Sequence, residues 1–79
     1  MIDFDLKLCG SRMRKVRKEM FKGTVQDFCD KFEFSAATMY DCENGKIAPR
    51  PYVVVGICRE FGVSADWLLG LKEDADDGE

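Results

Sequence analysis

Seventy-nine residues, 46% hydrophobic and 34% charged, make one small globular domain rather than a disordered chain. No apolar run approaches the roughly 18 residues of a bilayer span, and the acidic opening MIDFDLKLCG lacks the basic and apolar regions of a secretory signal, so a cytoplasmic protein is expected. The net charge of −3 is unevenly spread: five acidic and no basic residues fall in 73–79, which leaves twelve basic against ten acidic groups in 1–72.

Residues 1–7 are a lead-in in which Ile2, Phe4 and Leu6 alternate with Asp3 and Asp5. Cys9, Met13, Val16 and Met20 then follow at helical steps and predict a first helix over 8–20. Gly10 is a weak point in it, by up to about 1 kcal/mol against alanine. Between 12 and 22 lie six basic residues and one acid, Glu19, a stripe that suits nucleic acid or is simply a solvated helix face.

Thr24 is placed to cap a second helix running to about 32, with Asp27 reaching back as in a capping box. Phe28, Cys29 and Phe32 share one face of that helix. Glu33 and Phe34 form a turn, and Ser35 caps a third helix that ends near Glu43 and carries Met39 and Cys42 on one side. Asn44-Gly45 is a C-cap or turn that tolerates a left-handed backbone. A loop over 46–51 holds Pro49 and Pro51. Val53, Val54, Val55 and Ile57 favour a strand by composition. Yet Val54, Ile57, Cys58 and Phe61 keep helical steps, and a lone strand would have no partner, so 52–61 is predicted as a helix capped by Gly62. Ser64 caps a last short helix over 65–69, and Gly70 stops it. The acidic segment 72–79 reads as a disordered, solubilising tail; its alternative is a segment that folds back on the basic stripe.

Two short amphipathic helices, each opened by a hydroxyl residue and joined by a tight turn, are the sequence shape of a helix-turn-helix over 24–45. Other chemistry is sparse. The cysteines Cys9, Cys29, Cys42 and Cys58 form no C-x-x-C pair and the chain has no histidine, so no metal or cofactor is expected. Each cysteine is in register with apolar neighbours, as a reduced core residue would be. With no glycine-rich phosphate loop and no nucleophile–base pair, no catalytic residue is expected and the chain does not read as an enzyme.

Glu43-Asn44-Gly45-Lys46 followed by Pro49, then Phe61-Gly-Val-Ser-Ala-Asp-Trp-Leu-Leu69, and the apolar pattern Phe28, Phe32, Phe34, Met39 and Cys42 share one register. In this the chain resembles the DNA-binding domains of the Cro/cI-type (XRE) helix-turn-helix family, which includes lambdoid phage repressors. The resemblance covers about 9–69. It implies an all-α, compact five-helix, lambda-repressor-like fold over 1–71, and a sequence-specific transcriptional regulator of the repressor kind. Such a protein binds double-stranded DNA as a dimer on a two-fold site, with helix 35–43 in the major groove.

The resemblance further implies an ion pair between Arg17 and Glu43. It implies phosphate contacts from Thr24, Val25 and Gln26, from Ser35 and Thr38, and from Asn44, Lys46 and Arg50. Base contacts would come from Ala36, Ala37, Tyr40 and Asp41; the alanines can meet a thymine methyl and Asp41 can accept from a cytosine amine. Val25 stands where the family opens its second helix with glutamine, and Gln26 follows. The connection from Arg17 to Phe28 is one residue longer than the common pattern. Glu33 replaces the turn glycine, at a position where a left-handed backbone would disfavour it. No arginine or glutamine lies on the third helix, so a helix-turn-helix module that binds protein instead of DNA stays open as the alternative. Any homodimer is expected through the apolar end formed by Trp67, Leu68, Leu69 and Leu71, for which simple core packing is the other reading.

Overall fold

Asp5 starts the first helix of the computed structural model, which describes residues 4–71. Its carboxylate accepts from the Leu8 amide at 3.0 Å, so α1 runs Leu6–Lys15 and begins two residues earlier than the apolar stripe suggested. The alternating lead-in therefore gives way to helix at Leu6. Beyond Lys15 the same helix widens into a π turn, Val16–Met20, closed by the Phe21 amide on the Val16 carbonyl at 3.1 Å.

The remaining helices begin where side chains satisfy their free amides. α2 (Val25–Phe32) has both halves of its capping box: Asp27 N donates to Thr24 Oγ1 and Thr24 N donates to Asp27 Oδ2, each at 3.1 Å. α3 (Ala36–Glu43) is capped by Ser35, whose hydroxyl accepts from the Thr38 amide. Pro51 opens α4 (Pro51–Phe61), as suits a first-turn position that needs no amide donor, and Gly62 closes it with φ 70°. Ser64 accepts from the Trp67 amide to start α5 (Ala65–Leu68). No strand occurs among the described residues, and the fold is all-α with five helices. The valine-rich segment is helical because its spacing outweighs its β-branched composition: Val53, Val54 and Ile57 are buried and Val55 is exposed.

The core takes residues from every helix: Met13, Val16, Phe28, Cys29, Phe32, Met39, Cys42, Val53, Val54, Ile57, Trp67 and Leu68. Phe28 meets Phe21 edge-on at 5.1 Å and Phe32 at 4.9 Å between centroids, so the segment after the π turn is fastened to α2 by aromatic contacts. No helix among the described residues is long and apolar enough to cross a membrane.

One expectation about a single residue needs correction, and a second residue adopts the conformation it was expected to disfavour. Gly10 is no weak point. A Cβ there would lie well inside contact distance of the Cys42 carbonyl oxygen and 2.7 Å from that of Glu43, so α1 and α3 cross backbone to backbone. Glu33 does take the left-handed conformation, φ 59° and ψ 48°, at the C-cap of α2. The turn geometry overrides the side-chain preference, which costs about 1 kcal/mol. Tyr52 at the start of α4 supports it, its hydroxyl donating to the Glu33 carbonyl at 3.0 Å. The acidic tail 72–79, and any contact it makes with the basic stripe, lie outside the described residues.

Candidate nucleic-acid interface

α2 and α3 are two short helices joined by a tight turn at Glu33, and α1 packs against the second of them. Arg17, in the π turn, forks onto Glu43 at the end of α3: Nε donates to Oε2 at 2.6 Å and Nη2 to Oε1 at 2.9 Å. The Glu43 side chain is 4% exposed. Hydrogen bonding to Glu43 raises the already high pKa of Arg17 further, so the guanidinium stays charged. A bidentate fork of this kind fixes orientation as well as charge.

On the outer side of α3, Ala37 and Tyr40 are exposed, Tyr40 at 45%, while Ala36 and Asp41 are half-buried. Ser35 and Thr38 are occupied with each other. Ser35 Oγ accepts the Thr38 amide and donates to Thr38 Oγ1 at 2.9 Å, so their first duty is the cap. Past α3, Asn44, Lys46 and Arg50 are exposed. The loop stays attached to the helix, since the Lys46 amide donates to the Asp41 carbonyl at 2.9 Å and the Asn44 amide to Tyr40 at 2.9 Å.

The start of α2 is less open than the sequence implied. Thr24 is exposed and Val25 half-buried, but the capping box already uses the Thr24 and Asp27 amides and brings the Asp27 carboxylate there. Gln26 is exposed, and its side-chain amide donates along the helix to Asp30 at 2.8 Å. Only the Val25 and Gln26 amides lie outside the box, and a carboxylate at that end opposes a phosphate.

The basic stripe is also smaller than its sequence. Arg12 is buried, with Nη1 donating to the Trp67 carbonyl at 2.5 Å and its guanidinium 5.2 Å from the Trp67 ring centroid. It ties α1 to α5 and is not presented to solvent. With Arg17 held by Glu43, the exposed members are Arg14, Lys15, Lys18 and Lys22. Sequence reasoning missed the role of Arg12, although its place beside Cys9, Met13 and Val16 on the apolar stripe was a usable signal. The apolar end proposed for dimerisation is likewise corrected. Trp67 and Leu68 are buried in the core and Leu69 is half-buried, which leaves Leu71, 77% exposed, as the large apolar side chain presented there among the described residues.

The four cysteines are free thiols; Cys9, Cys29 and Cys42 are buried and Cys58 is half-buried. Burial raises all four thiol pKa values, that of Cys9 to about 11, so none is prepared as a nucleophile. Among the described residues no group of three or more His, Cys, Asp or Glu side chains is placed to hold a metal ion. No protein-family model and no curated protein sequence matches the chain.

Proposed function

We propose that this chain is a DNA-binding transcriptional regulator, a repressor of the Cro/cI type, that lays α3 in the major groove. One observation carries the reading. The acid that ends α3 is drawn inward by Arg17, which leaves Ala37 and Tyr40 exposed on the helix and Lys46 and Arg50 exposed in the loop that follows it. An unpaired Glu43 near phosphates would repel them; neutralised and buried, it lets the helix approach. Lys46 and Arg50 would then take phosphates, and binding would rest mainly on such contacts.

The test is retention of random duplex DNA by the full chain at roughly 50 mM salt, followed by titration with salt. Binding that falls log-linearly with salt, with a slope reduced by about one in Lys46→Ala, supports the reading. Absence of binding at that salt rejects it. Tyr40 and Ile47, 45% and 41% exposed, favour a second reading, a module that docks on a protein partner through the same face. That reading gains if DNA is not retained.

A further inference from the structure

We infer that the acidic segment 73–79 docks on the exposed basic face of α1 and the π turn, where a nucleic acid has to displace it. The contact is independent of the function proposed above; only its effect on DNA rests on that reading.

The face is what burial leaves of the basic stripe. Arg14, Lys15, Lys18 and Lys22 are exposed, as is Ser11 beside them. The ion pairs among the described residues are Arg17–Glu43 and Lys31–Glu60, so no described carboxylate pairs with any of these four cations. Clustered positive charge with a single acid, Glu19, in its midst favours an anionic partner.

The fold brings the start of the acidic segment to this face. The Leu71 amide donates to the Asp66 carbonyl at 2.7 Å and the Gly70 amide to that of Trp67 at 3.1 Å, with Gly70 at φ 90°. These two bonds are a Schellman motif, which fixes how the chain leaves α5. The exit rests on α1, since a Cβ at Gly70 would lie 3.4 Å from Leu8 Cδ2. Leu8, Ser11 and Lys15 follow at steps of three and four along one side of that helix, with Arg14 next to them and Lys18 and Lys22 beyond.

The lengths match as well. Lys18 lies about 15 Å past Leu8 along the axis, and residues 72–79 span up to about 28 Å when extended. The carboxylates of Glu73, Asp74, Asp76, Asp77 and Glu79 can therefore run the length of the face. Exposed ion pairs are individually weak, but tethering supplies the segment at an effective concentration on the order of millimolar.

The contact is tested on the full chain with a carbodiimide, which joins a carboxylate to an amine only where the two touch. At roughly 50 mM salt, links from 73–79, mapped in the monomer by mass spectrometry, should fall on Lys15, Lys18 and Lys22. They should be lost at about 1 M salt, where the Debye length is about 3 Å. Links spread equally to Lys31 and Lys46, links found only in a dimer, or no links at all overturn the docking.

The effect on DNA is read by combining Glu73→Gln, Asp74→Asn, Asp76→Asn, Asp77→Asn and Glu79→Gln in the full chain. This variant should hold random duplex DNA about tenfold tighter at low salt, and most of that gain should be lost when Lys15→Gln and Lys18→Gln are added. An unchanged affinity, or a gain of the same size in both backgrounds, overturns the competition. If neither chain retains DNA, the DNA-binding reading fails and the cross-links alone decide the contact.

Discussion

On its inner side α3 is gripped by Met39 and Cys42 in the core, by a backbone crossing at Gly10 and by the Arg17–Glu43 fork. On its outer side Ala37 and Tyr40 are exposed, and the hydroxyls nearby serve the cap. The inner face thus fixes where the helix lies, while the outer face carries almost none of the stability. A surface that holds nothing up is free to be chosen for what it touches. The contrast makes a quantitative demand: substitutions should sort by face.

The largest effect belongs to Glu43→Ala. It strands Arg17 in a mostly buried place and should destabilise by about 3–5 kcal/mol in urea unfolding. Glu33→Ala, at an exposed side chain, should shift the curve far less; equal shifts for the two would break the contrast. Next comes Gly10→Ala, which forces a methyl against two carbonyl oxygens of the α3 backbone. A loss of about 3 kcal/mol is expected, opposite in sign to the gain of about 1 kcal/mol that helix propensity alone would give.

Cys9 sharpens the comparison through pH. Its thiol is raised from 9.0 to about 11, chiefly by burial and then by Cys42. Between those values the unfolded chain has lost the proton and the folded chain keeps it, so stability falls as pH rises through this window, by up to about 2–3 kcal/mol. Cys9→Ala should remove that share of the slope in unfolding curves taken from pH 8 to about 11. A smaller and favourable effect is expected of Glu33→Gly, which relieves the left-handed strain and should raise stability by about 1 kcal/mol. Smallest of all, Tyr40→Ala should leave stability within about 0.5 kcal/mol; a large loss there would show that the outer face also bears load.

Much of the fold was legible because its boundaries are written in local chemistry. Thr24 with Asp27, Ser35, Ser64 and Gly62 act on amides and carbonyls within a turn of themselves, so residue type and spacing suffice to place them. What escaped depends on neighbours distant in sequence. Arg12 counts as surface charge until Trp67, 55 residues on, supplies a carbonyl and a ring. Gly10 is a poor helix former until α3 crosses it, and Trp67 and Leu68 are an apolar end until α1 covers them. For the candidate site, the resemblance singled out four positions on α3, of which Ala37 and Tyr40 are exposed and Ala36 and Asp41 half-buried, and only hydrogen bonding showed that Ser35, Thr38 and Gln26 are already engaged.

The π turn at Val16–Met20 has a consequence for how this chain can change in length. A ring closed over five residues holds one more than an α turn does, so the chain takes up one surplus residue ahead of α2. The surplus sits downstream of Gly10 and Met13, and Arg17 lies near its start, so the seam with α3 is set before the widening begins. Removing one residue from Lys18–Glu19 would tighten the turn to α geometry and draw Phe21 closer, with the Arg17–Glu43 fork in place. A change of one residue there would fall within that single turn, and the α1–α3 seam that sets the register of α3 would lie upstream of it.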